Sequence, residues 1–281
     1  MTTLVLQGIT LTRELAEQIA HQYSGQLNWY KHYATIIQAT DINSETVTHL
    51  RQQYDFDINA LPEAFDPTTA KLLVTDMDST LITIECIDEI ADFMNLKPQV
   101  AAITESAMRG EIDFETSLRQ RVSLLKSLDV AVLERVYEER LQLSPGAELM
   151  VSTLKKQGYS LALVSGGFTF FTDRLQQRLG LDFTQANKLA EKNGKLTGEV
   201  DGDICGAQTK ADFLLSCCEK MTISAQQTIA VGDGANDLLM MAPAGLSVAY
   251  HAKPKVQQQA ATAINHNGLD AILGLLQLEY N

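Results

Sequence analysis

Two aspartates separated by one residue, Asp76 and Asp78, end the apolar stretch Leu72-Leu73-Val74-Thr75 and are followed at once by the hydroxyls of Ser79 and Thr80. An apolar run of this kind reads as a buried strand, and open α/β sheets place their chemistry at the carboxyl ends of such strands. Two carboxylates held this close repel each other and resist desolvation, so the pair calls for a bound cation. One can attack as a nucleophile to give an acyl phosphate, while the other carries protons. Taken alone, the pattern serves equally well as a helix cap or a turn.

Three further segments bring matching chemistry. Ser160 to Val164 is a second buried-strand pattern, and it stops at Ser165-Gly166-Gly167, ahead of a helical stretch from Phe171 to Leu179. Glycine lets backbone N–H groups approach an anion, and a helix start adds favourable partial charge. Lys210 opens a helical pattern from Ala211 to Lys220, and nothing local separates it from a surface lysine. Thr228 to Val231 is a third apolar strand, ending in Gly232-Asp233-Gly234-Ala235-Asn236-Asp237. That loop offers oxygen ligands with no His or Cys close by, which favours Mg²⁺ over zinc.

These groups need elements that bring them together, and parallel strands do so because they share one C-terminal edge. The order and residue types of the four segments resemble the haloacid dehalogenase superfamily of phosphotransfer enzymes, from about residue 71 to the end of the chain. The resemblance implies an α/β fold with a Rossmann-like parallel sheet and a helical cap insert. It implies that Asp76 attacks phosphorus, that Asp78 serves as general acid and then base, and that Mg²⁺ binds Asp76, the backbone carbonyl of Asp78 and Asp233. It further implies that Asp237 supports the metal shell and orients Lys210. Lys210, Ser165 and the Gly166 N–H would hold the phosphoryl oxygens, with Asn236 as a further contact.

Between the first two strands, residues from about 84 to 143 show helical periodicity: Ile87, Ile90, Ala91 and Met94, then Val100, Ile103 and Ala107, then Leu118, Val122 and Leu125. An insert of this size can form a helical cap, whose closure excludes water and strengthens the electrostatics inside. Its segments Thr83 to Ile90, Ala107 to Gly110 and Phe114 to Val122 resemble the branch of the superfamily that hydrolyses O-phospho-L-serine to L-serine and phosphate, the last step of serine biosynthesis. That resemblance implies Glu85 for the α-ammonium, Arg121 for the α-carboxylate, and Met108 and Phe114 for an apolar wall. A guanidinium fork suits a carboxylate and a carboxylate suits an ammonium, although Arg119 competes with Arg121 for the role. Transfer of phosphate to another alcohol, or action on a related phosphomonoester such as homoserine phosphate, is the alternative.

Residues 1–66 read as a separate small α+β domain ahead of a phosphatase domain over 67–281. Strands are expected at Thr3 to Leu6 and Tyr33 to Gln38, helices at Leu11 to Tyr23 and Glu45 to Tyr54, with Pro62 and Pro67 marking a linker. The pattern resembles ACT-type amino-acid-binding domains, but it is short and lacks a glycine-rich ligand turn. A dimerisation role, giving a homodimer, stands beside a regulatory one. Further along the chain, Asn193-Gly194 predicts a hairpin close to the active site, either flap-like or purely structural, Leu246 to Tyr250 a strand, and Leu269 to Leu278 an amphipathic helix.

With 281 residues, 45% of them hydrophobic, the chain can bury a substantial core. Its 22 basic and 35 acidic residues give a net charge of −13, which disfavours nucleic acid or an anionic membrane as partner. An anionic small-molecule substrate must be drawn locally by Mg²⁺, Lys210 and Arg121. No leader or membrane-spanning apolar run is apparent. Cys86, Cys205, Cys217 and Cys218 lack zinc-type spacing. Free thiols fit a reducing cytoplasm.

Overall fold

The computed structural model describes residues 2–280, and the side chain of Met108 lies outside what it describes, so the wall contact expected of Met108 does too. The chain opens with β1 (Thr2–Gln7), α1 (Arg13–Gln22), β2 (Gln26–Trp29), β3 (Ala34–Ala39), α2 (Ser44–Gln53) and β4 (Asp57–Ala60). These strands form an antiparallel sheet in the order β2-β3-β1-β4, a split βαβ arrangement with both helices as crossovers. Each helix starts where a side chain accepts an otherwise orphaned amide: Thr12 from Leu15, and Asn43 from Thr46.

Strands β2 and β4 are absent from the sequence reading, which ran the second helix straight into a linker. The cause is visible in their side chains. Strand β2 is largely exposed, and β4 carries Asp57 and Asn59 where a buried strand ordinarily carries apolar residues. Both of those polar groups are buried because they bind the larger domain. The Asn59 amide donates to the Ala263 carbonyl at 2.9 Å and accepts from the Ala263 N–H at 2.8 Å. Asp57 accepts from the Asn265 N–H at 2.7 Å.

The larger domain begins with β5 (Leu72–Thr75), whose four residues are all buried. A cap follows: α3 (Cys86–Asp92), α4 (Lys97–Met108), α5 (Phe114–Ser123) and α6 (Ala131–Glu139). Its base is closed by a bridge between Ile82 and Leu143. The chain then runs through α7 (Ala147–Lys156), β6 (Ser160–Phe168), α8 (Thr169–Leu179), β7 (Phe183–Lys192), β8 (Lys195–Asp201) and α9 (Ala207–Met221). It ends with β9 (Thr228–Gly232), α10 (Leu238–Met241), β10 (Leu246–Tyr250), α11 (Pro254–Gln259), β11 (Thr262–Ile264) and α12 (Ala271–Leu275).

The second sheet has the order β11-β10-β9-β5-β6-β7-β8, parallel except for the β7–β8 hairpin. The α/β architecture expected from the motifs is therefore present, with its cap and its small extra domain. Register does the positioning. Thr75 lies level with Leu163 on one side and Val231 on the other, so the three chemistry-bearing segments leave the sheet at one edge. The Asp76 N–H also donates to the Val231 carbonyl at 2.9 Å, which ties the first aspartate to the third strand.

Two expectations need correction. The C-terminal helix is Ala271–Leu275 and is buried throughout, not an amphipathic helix from Leu269 to Leu278. It is held from the β1 side, where Gln7 Nε2 donates to the Ala271 carbonyl at 2.9 Å, so it keeps no polar face. The hairpin turns at Asn193-Gly194, both at positive φ, as a two-residue hairpin turn requires. Rather than standing free as a flap, it is bonded to the cap, with Ser127 N–H donating to the Leu196 carbonyl and Val130 N–H to the Gly194 carbonyl. Among the described residues, no helix is long and apolar enough to cross a membrane.

Candidate active site

A lysine in a protein interior needs carboxylates, and Lys210 has two. Its Nζ lies 2.7 Å from Asp76 Oδ1 and 2.7 Å from Asp237 Oδ1, with the residue 1% exposed. Burial pulls the ammonium toward neutrality, but Asp237 and Asp76 outweigh it and hold its pKa above that of an ordinary lysine. The helix that sequence periodicity began at Ala211 thus starts a turn earlier and plants Lys210 beneath the cavity.

Asp237 reaches back because Gly232 has no side chain; a Cβ there would stand 2.4 Å from the Asp237 carboxyl carbon. The second Asp237 oxygen accepts from the Gly234 N–H at 3.0 Å. Asp233 accepts from the Thr80 hydroxyl at 3.2 Å. Carboxylate oxygens of Asp76, Asp233 and Asp237 all lie within 4.8 Å of one another. Such an all-oxygen cluster fits a hard divalent cation. Burial, followed by the charge of Asp237, drives the Asp76 carboxyl well above its usual pKa despite Lys210. A bound cation would counter that repulsion.

Asp78 points elsewhere. One oxygen accepts from the Cys86 N–H at 2.8 Å, and the other accepts from the Ser165 hydroxyl at 3.3 Å. Burial raises its pKa, which favours the protonated carboxyl that a general acid needs. Ser165 Oγ in turn accepts from the Gly167 N–H at 2.8 Å. Gly167 permits this crowding, since a Cβ would stand 2.6 Å from the Asp78 carboxylate.

Above these groups lies a cavity of about 520 Å³ between the sheet edge and the cap. Asp76, Asp78, Ser165, Gly166, Asp233 and Asn236 line its floor. Glu85, Phe114 and Arg121 line it from the cap side. Glu85 is brought in by the left-handed turn at Ser79 (φ 55°), whose hydroxyl donates to Glu85 at 2.7 Å. Glu85 keeps contact with solvent, and the partial desolvation of its carboxyl by the surrounding wall, reinforced by Asp78, raises its pKa to about 7. The competition between arginines is decided by helix phase: Arg121 borders the cavity, while Arg119 is half exposed and pairs outward with Glu115 at 2.8 Å. Lys210 and Asp237 sit below the floor, both buried.

Some members of the site carry no assigned role in the sequence pattern. Thr80 and Ser79 hold Asp233 and Glu85 through their hydroxyls. Lys253 and Lys255, from the segment after β10, also line the cavity. Their signal was available, because that segment follows a strand at the chemical edge of the sheet. Asn187 bridges the Gly166 carbonyl and the Cys205 N–H from inside β7. No local pattern marks it, since its partners are adjacent only in the folded sheet.

The haloacid dehalogenase-like hydrolase family matches this chain over residues 70–245. A phosphoserine phosphatase of Polaromonas sp. (strain JS666) is 57% identical over 212 residues, covering 74% of this chain and 90% of that protein. The unliganded structure of a probable phosphoserine phosphatase from Vibrio cholerae superposes with a TM-score of 0.84 at 42% identity, covering 98% of this chain and 86% of that one. A structure described as a phospho-aspartyl intermediate analogue of phosphoserine phosphatase superposes with a TM-score of 0.69 at 41% identity, covering 75% of this chain and 99% of that one. The chain belongs to the haloacid dehalogenase-like hydrolases and, within them, to the phosphoserine phosphatase family.

Proposed function

We propose that this protein hydrolyses O-phospho-L-serine to L-serine and phosphate through a phosphorylated Asp76. The observation that carries the reading is one cavity faced by Asp76 and Ser165 below and by Glu85 and Arg121 above. The lower groups suit a phosphoryl group, and the upper pair suits the ammonium and carboxylate of an amino acid.

Arg121 and Glu85 hold the amino acid end, which aims the phosphate at the floor. Asp76 attacks phosphorus in line with the P–O bond to serine, and Asp78 protonates the departing alkoxide. Water then attacks phospho-Asp76, gives its proton to Asp78, and phosphate leaves with the Asp76 carboxylate restored. Lys210, Ser165 and the Gly166 N–H stabilise the equatorial oxygens, where positioning and charge carry most of the rate. General acid assistance of this kind contributes about 10²–10⁴-fold. A divalent cation, Mg²⁺ in this reading, would be held by Asp76, Asp233 and the Asp78 backbone carbonyl and would add positive charge beside the phosphoryl group. The free, buried cysteines support a cytoplasmic setting.

The test is phosphate release from O-phospho-L-serine, beside several other phosphomonoesters, with and without Mg²⁺ and after chelation. Preference for phosphoserine that is lost on chelation supports the reading. Equal turnover of esters lacking the amino acid group contradicts it.

A further inference from the structure

The ladder between β6 and β7 breaks at Ser165, Gly166 and Gly167, on the floor of the cavity. The strands pair at Ala162–Phe183, Leu163–Thr184 and Val164–Gln185, and resume only at Phe168–Asn187. Ser165, Gly166 and Gly167 therefore bulge out of the ladder opposite Ala186. Such bulges re-aim side chains beside active sites, but the backbone groups they free inside a protein need other partners. Asn187 supplies one. Its Nδ2 donates to the Gly166 carbonyl at 2.8 Å, and its Oδ1 accepts from the Cys205 N–H at 2.7 Å. With the residue 1% exposed, both halves of this amide are used away from water.

The Gly166 carbonyl and the Gly167 N–H belong to one planar trans peptide unit and point in opposite directions. Asn187 grips the carbonyl end. At the other end the Gly167 N–H donates to Ser165 Oγ at 2.8 Å, and that hydroxyl donates to Asp78 at 3.3 Å. All donors along this chain point toward Asp78, so each bond polarises the next. We propose that Asn187 is a positioning residue for phosphoryl transfer, fixing the Ser165 hydroxyl through the Gly166–Gly167 peptide and the Asp78 carboxylate through that hydroxyl. Its bond to Cys205 also anchors the segment leading into the helix that carries Lys210. The inference rests on the phosphatase reading of this site.

The experiment compares Asn187→Ala and Asn187→Asp with the unmodified full chain, on phosphoserine and on p-nitrophenyl phosphate, each also in a Ser165→Ala background. Aspartate keeps an acceptor for Cys205 but, once ionised in a pH series from 6 to 9, offers nothing to the Gly166 carbonyl, so its pH profile decides the matter should the alanine variant fail to fold. A misplaced cradle lowers kcat by about 10–100-fold on both esters, with KM little changed. Because the effect runs through Ser165, most of that loss disappears in the Ser165→Ala background. An Asn187→Asp variant with kcat unaltered across that pH series overturns the proposal, as does one losing the same factor with and without Ser165. Turnover of p-nitrophenyl phosphate but not phosphoserine would sink the substrate assignment alone, and the generic ester would still report on Asn187.

Discussion

The ring of Phe114, at the start of a cap helix, lies so close over Gly166 that a Cβ on the glycine would stand 2.9 Å from its Cζ. The cap and the edge of the large sheet meet at this contact, where a Cβ at Gly166 would crowd the tip of the ring. Gly166→Ala must shift the tip of the Phe114 ring, which disturbs how the cap helix seats over the floor. Steady-state kinetics should show kcat/KM for phosphoserine falling by about 10–100-fold, the scale on which a roughly 1 Å misplacement acts. Adding Phe114→Ala should recover part of the loss, and failure to recover any would separate the defect from cap seating.

In the proposed mechanism Asp76 and Asp78 carry different steps, so their substitutions should differ in kind. Asp76→Asn removes the nucleophile, so turnover should vanish and no acyl phosphate should be trapped from labelled substrate. Asp78→Asn should lower kcat by about 10²–10⁴-fold while phosphate still binds. Residual steady-state hydrolysis by Asp76→Asn above the solution rate would rule out covalent catalysis.

If Glu85 pairs with the substrate ammonium as proposed, the reaction carries a pH signature. Partial desolvation at the cavity wall and the charge of Asp78 raise its carboxyl to about 7, so in the free enzyme its charged fraction grows as pH rises through that range. Only the charged form pairs with an ammonium. kcat/KM for phosphoserine should therefore rise with pH through 7, with a smaller rise for an ester lacking the amino group. In Glu85→Gln the difference between the two profiles should disappear, which initial-rate measurements across pH 5.5–8.5 would check.

Lys253 and Lys255 face a cavity set in a protein of net charge −13. An anionic ester approaching such a protein is repelled unless local cations reshape the field at the mouth. Changing both lysines to glutamine should lower kcat/KM severalfold at low ionic strength. The gap should narrow above about 0.1 M salt, where the Debye length shrinks to roughly 10 Å. A loss independent of salt would point to direct contact with substrate instead.

Asn59 holds the small domain to the edge of the large sheet by satisfying both backbone groups of Ala263. Asn59→Ala would leave those buried groups without partners, at a cost of about 2–3 kcal/mol. Thermal denaturation should register the change as a lower Tm, or as two separated transitions if the domains uncouple. An unchanged Tm would mean that water replaces the amide.

Much of the site was legible along the chain because its chemistry is concentrated in short strand ends. Asp76-x-Asp78, Ser165-Gly166 and Gly232 to Asp237 each sit directly after an apolar run, and a parallel sheet has only one edge at which to gather them. The cap was legible from periodicity, and Glu85 and Arg121, which line the cavity beneath it, were singled out by family resemblance. Buried polar residues defeated the reading elsewhere. Strand β4 hid behind Asp57 and Asn59, whose side chains face the other domain, and Asn187 bonds a carbonyl freed by a break in strand pairing.

By itself, the sequence determined which residue types stand at which strand ends, and so the class of chemistry. Tertiary structure decided which of them meet. Lys210 gained its role from two carboxylates far away in the chain, and Arg121 was distinguished from Arg119 by the direction each leaves one helix. The physical reason is that charge and apolar patterning are local properties of a chain. Desolvation, hydrogen-bond partnership and the pKa shifts they cause exist only once distant segments share an interior.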